Sequence, residues 1–139
     1  MAISHYNRTV SAAFVDSVKS QCDAGGGGTG LGKILVYTSP IPADTTVGIS
    51  TQTLLGTCTL QNPCGVSASG TLTFNAITQD SAADNSGTAF WARRTDSAGT
   101  VVSDHDITVV GGGGALQMVS TTIVAGGPIA FTSLTETLP

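Results

Sequence analysis

Residues 87–108, GTAFWARRTDSAGTVVSDHDIT, decide the fold. Phe90, Trp91, Val101, Val102 and Ile107 suit a pleated, half-buried surface. Between the two runs stands Asp96-Ser97-Ala98-Gly99. Asp fits the first position of a type I turn, and Gly the left-handed position that follows. The stretch predicts a β-hairpin with a bulge at Gly99. Pairing Asp96 with Thr100 sets Trp91 opposite His105 and Arg94 opposite Val102. Ala89, Trp91, Val101 and Ile107 then share one apolar face, so Trp91, Val101 and Ile107 are the expected core. Arg94, Asp104 and Asp106 share the other face, with Arg94 and Asp104 as diagonal neighbours.

Strand-forming stretches continue on both sides. Lys33–Tyr37, KILVY, predicts a strand, as does 53–60. In 70–77, GTLTFNAI, Leu72, Phe74 and Ala76 point one way and the threonines the other. Residues 115–119, 121–124 and 129–138 supply further short strands, the last switching face midway as a bent strand does. Short strands separated by turns every 8–12 residues or so predict an all-β protein, a β-sandwich of jelly-roll type.

Only residues 7–23 carry helical spacing, through Val10, Phe14, Val15, Val18 and Cys22, with Asn7 or Thr9 as the cap. The glycine-rich run that follows divides the chain into an N-terminal helical arm and linker, 1–32, and a sandwich domain, 33–139. A sandwich closes its own core, and ordering a glycine-tethered arm costs entropy that a partner can offset. Val10, Phe14 and Val18 are therefore the expected interface residues. The alternative is that the helix caps its own sandwich.

Composition narrows the function. The 139 residues carry 10% charged side chains, against about 25% in ordinary domains, and include 21 threonines and 18 glycines. With 40% hydrophobic residues the chain has enough apolar surface to fold as one domain. The net charge is −4, and of the five basic residues only Arg93 and Arg94 are adjacent, which excludes a phosphate-binding patch for nucleic acid. No apolar run reaches the roughly 20 residues that span a bilayer, and the N-terminus lacks the apolar centre of a signal peptide. A protein made in the cytoplasm, whose weakly charged surface is covered in a homo-oligomer or larger assembly, is expected.

The candidate chemistry is sparse. Residues 27–33 fit G-x4-G-K, but they follow a helix and open a strand, and Ile34 stands where a Ser or Thr would hold magnesium. In Asp104-His105-Asp106 a strand puts the histidine and the aspartates on opposite faces. There is no G-x-S-x-G, and Glu136 is the single glutamate, so no enzyme is expected. Trp91 is a possible sugar platform, with a core role expected instead. Asp80, Asp84 and Asn85 are expected as turn residues rather than calcium ligands. A turn at Asn62-Pro63 can bring Cys58 near Cys64, but free thiols are expected in a reducing compartment, and Cys-x5-Cys without a nearby histidine does not suggest zinc. No catalytic, cofactor or metal residue is assigned.

Four segments together, KILVYTSPIPAD, TQTLLGTCTL, GTLTFNAITQDSAADNSGTAFWARRTDSAGTVVSDHDITV and TTIVAGGPIAFTSLTETLP, resemble a family of small virion structural proteins encoded in tailed-bacteriophage and prophage genomes. The WAR segment with its DSAGT turn and the TTIVAGGP segment carry most of the likeness. The resemblance implies a capsid decoration or cement protein located in the virion, with the major capsid protein or other virion proteins as partners. A tail or head–tail component is the alternative, and a carbohydrate-binding module for host attachment is an alternative of another class. The resemblance implies no catalytic residues.

Overall fold

The structure, a computed structural model, describes residues 8–24 and 31–137. The fold is all-β and sandwich-like, with one N-terminal helix. The helix α1 (Arg8–Asp23) is followed by β1 (Lys33–Tyr37), β2 (Leu54–Thr59), β3 (Gly65–Ala68), β4 (Thr71–Phe74), β5 (Gly87–Thr88), β6 (Trp91–Thr95), β7 (Val101–Val109), β8 (Leu116–Met118), β9 (Thr122–Ile123) and β10 (Ser133–Thr137). Eight strands form one curled sheet in the order β2-β1-β6-β7-β8-β10-β4-β3, and β5 pairs with β9 in a small ribbon. All neighbours are antiparallel except β7 and β8. The two layers are thus halves of one sheet, continuous through a parallel pair that a strictly antiparallel jelly roll lacks. Ile34, Val36, Cys58 and Ile107 from one half meet Leu72, Phe74, Leu116 and Leu134 from the other in the core.

The parallel step depends on residues 110–115, which must turn the chain back and then forward again within a few residues. Gly111 and Gly113 have φ of 85° and 84°, a region that glycine enters without a Cβ penalty. Gly114 N–H donates to Thr108 Oγ1 at 3.0 Å, and Ala115 N–H to Asp106 Oδ1 at 2.9 Å. A Cβ on Gly112 or Gly114 would meet Thr108 at 2.7–2.8 Å. This glycine run is therefore a compact loop folded onto β7.

The hairpin β6–β7 forms with the expected turn. Asp96 N–H donates to Thr100 O at 3.0 Å, Asp96 Oδ1 accepts from the N–H groups of Ala98 and Thr100, and Gly99 has φ of 93°. The register beyond the turn corrects the sequence reading by one residue. Thr95 pairs with Val101, but Arg94 pairs with Ser103, leaving Val102 as a bulge. Trp91 therefore lies opposite Asp106, and Arg93, not Arg94, faces Asp104. One extra residue reverses the faces of everything after it. Val101, expected in the core, is 36% exposed, while Ile107 is buried on the opposite face from Trp91. Val102 packs against the core, which accounts for the bulge.

The helix lies on its own sheet, against β3, β4 and β7. Val15 and Cys22 are buried, Val18 is half-buried against the core, and Phe14 and Val10 are exposed. Of the three expected interface residues, two thus face outward and one packs inward. The expected cap at Asn7 lies outside the described residues, and Thr9 falls inside the helix. The helix spans two hairpin tips. Ser11 packs on Gly70 between β3 and β4, and Ala24 O accepts from Ser97 Oγ between β6 and β7 at 3.4 Å. Gly70 has φ of 80° and a Cβ there would come within 2.9 Å of Ser11 Cβ, whereas Gly99, with φ of 93°, has open space around it. Gly70→Ala is expected to cost about 2 kcal/mol and Gly99→Ala about 1 kcal/mol, because both carry backbone strain but only Gly70 also meets the helix. Urea denaturation of the two variants checks this; equal losses would show that the helix yields without cost.

Candidate functional site

Strand β6 is buried along its whole length, and its two arginines serve opposite faces. On the outer face, Trp91 stacks on Tyr37 with ring centroids 4.8 Å apart and planes 17° from parallel. The two meet because β1 and β6 place Tyr37 directly beside Trp91. Arg93 lies over the Trp91 ring at 5.4 Å and grips Asp104 with two hydrogen bonds of 2.8 Å. The Asp104 carboxylate raises the Arg93 guanidinium above its ordinary value, partly offset by burial. The loop 38–53 closes over this face. Trp91 Nε1–H donates to Thr38 O at 2.9 Å, and Arg93 Nη1–H to Val47 O at 3.1 Å. No face of Trp91 is left for a sugar, since the side chain is fully buried. The platform on which the carbohydrate-module reading stood is absent.

On the inner face, Arg94 is 1% exposed and reaches from one sheet half to the other. Its Nη1 lies 2.9 Å from Glu136 Oε1 on β10, and its guanidinium carbon 5.1 Å from the Phe74 ring centroid on β4. His105 Nε2 is 3.1 Å from the same Glu136 oxygen and 2.8 Å from Ser103 Oγ. Burial pushes the Glu136 carboxyl up, but the hydrogen bond from His105 and the charge of Arg94 outweigh it and hold the group below its ordinary range. Arg94 Nε has no hydrogen-bond partner among the described residues.

Serine, histidine and glutamate so close together invite comparison with a hydrolase triad. In a triad the carboxylate holds one ring nitrogen and the serine meets the other. Here both meet Nε2. The arrangement therefore lacks the two-sided histidine of such a triad.

A cleft of about 240 Å³ opens where β4 and β10 diverge, lined by Thr73, Phe74, Asn75, Ala76, Ile77, Phe131, Thr132, Leu134 and Thr135. None of these side chains titrates, so the cleft offers hydroxyl and amide contacts but no acid or base. Asp80, considered for calcium, accepts from Ala82 N–H in its own turn and from Thr57 N–H on β2, and Asn85 donates to Leu54 O on β2, so both tie the loop to that strand. Among the described residues there is no group of three or more His, Cys, Asp or Glu side chains placed to hold a metal ion. Most of residues 27–33 lies outside the described residues; Lys33 opens a strand, as the sequence predicts. No helix among the described residues is long and apolar enough to cross a membrane.

The three cysteines are buried free thiols. Cys58 donates to Ile129 O at 3.3 Å, and burial pushes its thiol up to about 11. Cys64 has Cys22, not Cys58, as its sulfur neighbour. Neither this pair nor the Arg94–Glu136 pair is readable from local spacing, since each joins residues about 40 positions apart. No protein-family model, curated protein or solved structure matches the chain.

Proposed function

We propose that this chain is a virion structural subunit of a tailed bacteriophage, a capsid decoration or cement protein that strengthens the head by bridging capsid subunits. The observation that carries the reading is the surface. Phe14, Ile41, Val47, Ile49, Val66, Phe90, Val110, Val119 and Val124 are all at least 39% exposed on a rigid β body, in a chain with only 10% charged residues. Scattered apolar residues on weakly charged ground give contact area with little desolvation of charge. Many copies bound side by side add avidity to each modest contact. The resemblance of the segments within 33–139 to phage virion proteins supports the same class.

Particles made with and without this subunit, compared by electron microscopy and mass spectrometry, test the reading. Density at seams between capsid subunits, with heat-labile heads when the protein is missing, is expected. Density confined to the tail or neck replaces this reading with the tail or head–tail alternative. Absence of the chain from purified particles overturns both.

A further inference from the structure

We propose that Cys22 and Cys64 are a latent redox pair that closes into a disulfide on exposure to a small-molecule disulfide oxidant, fastening α1 to the sheet. Cys22 lies in the last turn of α1 and Cys64 immediately before β3, and both are fully buried. The backbone around them is already fastened. Cys64 N–H donates to Asp23 Oδ1 at 2.7 Å, and Cys64 Sγ lies 3.9 Å from Lys19 O, one helical turn before Cys22. Each thiol also shifts the other's proton affinity, as facing side chains do. The third thiol, Cys58, is engaged elsewhere by Ile129 O.

The pair is also chemically unequal. The Cys64 S–H hydrogen bond, helped by the charge of Arg94, holds the Cys22 thiol below its ordinary value against the opposing effect of burial. Cys64 is pushed the other way by that hydrogen bond and by burial. Either sulfur can open the exchange; one order has Cys22 attack first. The Cys22 thiolate attacks one sulfur of glutathione disulfide, forming a mixed disulfide and releasing one glutathione thiolate. Cys64 gives its proton to solvent, attacks Cys22 Sγ and expels the second glutathione. Two protein thiols are oxidised, one glutathione disulfide is reduced to two thiols, and the electrons balance. Because both sulfurs are buried, attack waits on local opening of the last turn of α1, so the reaction is slow in the folded protein.

The test uses the full chain, incubated with glutathione disulfide or with dithiothreitol. Cleavage after Leu60 separates Cys58 from Cys64, so peptide mapping identifies the linkage without a variant. A Cys22–Cys64 linked peptide is expected, with a Tm roughly 10 °C higher than that of the reduced protein, as a cross-link closing about 40 residues implies. Dithiothreitol reverses both, and Cys22→Ser abolishes the shift while remaining folded by circular dichroism. Cys64 remaining a thiol after equilibration, a link to Cys58, a stable glutathione adduct, or a linked protein with unchanged Tm would each overturn the proposal.

Discussion

Glu136→Gln is expected to lower stability by about 3 kcal/mol, the typical penalty for stranding a buried charge. Arg94 is almost wholly buried, and Glu136 is its only ion-pair partner among the described residues. The substitution keeps shape and removes only charge, so the loss measures the uncompensated guanidinium. Replacing both residues, as Arg94→Met with Glu136→Gln, is expected to recover most of it, because an apolar side chain of similar length needs no counter-charge. The sign with pH follows from the depressed carboxyl. Its contribution is fully present above the ordinary value of 4.5 and fades as pH falls through the lower folded-state value. The gap between wild type and Glu136→Gln should therefore be constant near neutrality and close in acid. Urea titrations from pH 7 to pH 3 check this. A loss under about 1 kcal/mol at pH 7, or a gap that widens in acid, would show that the pair is not what stabilises Arg94.

Trp91→Ala is expected to cost about 3–5 kcal/mol, enough to unfold a marginal domain. The ring fills the space between the sheet and the loop 38–53, stacks on Tyr37 and supports Arg93. Its removal leaves a cavity and takes from the loop the Nε1–H that Thr38 O accepts. Trp91→Phe keeps most of the volume but loses the Nε1–H donor, so a loss of about 1–2 kcal/mol is expected. In the wild type, Trp emission should be blue-shifted and poorly quenched by iodide. A red-shifted, readily quenched spectrum in the folded protein would contradict the burial.

The same two predictions show what the sequence could convey. The apolar run of KILVY, the alternation of TLTF, the DSAG turn and the helical spacing of Val15, Val18 and Cys22 are local signals, and each appears as a real element. Trp91 was legible as buried because few surfaces leave a tryptophan uncovered. Its surroundings were not, since the residues covering it come from a two-proline loop without periodicity. The bulge at Val102 escaped because ladder geometry there depends on how Val102 meets the core, which spacing does not encode. Strand β3, GVSA, has little strand propensity; Gly65 is required because a Cβ would meet Thr73 O at 2.4 Å, a tertiary constraint. Ala76, read as inward, is exposed because β4 ends at Phe74. The lone glutamate in the chain was the one available hint that a buried arginine needed a counter-ion.

The outermost strands of the curled sheet, β2 and β3, are consecutive in the chain and joined only by residues 60–64. Along the outer edge of β2, Thr59 bridges Thr78, Thr57 N–H donates to Asp80 Oδ2 and Leu55 O accepts from Asp84 N–H; β3 packs against the helix, with the Ser67 hydroxyl bonded to Asp16. Strand rims are where β-proteins recruit one another into fibrils, and repulsion between like charges is the usual safeguard. A chain with a net charge of only −4 has little of that safeguard. At β2 the defence is geometric: backbone groups that would template a neighbour's strand are already occupied from within. Copies of such a molecule can crowd against the β2 rim through their side chains while its backbone stays closed to a neighbour's strand.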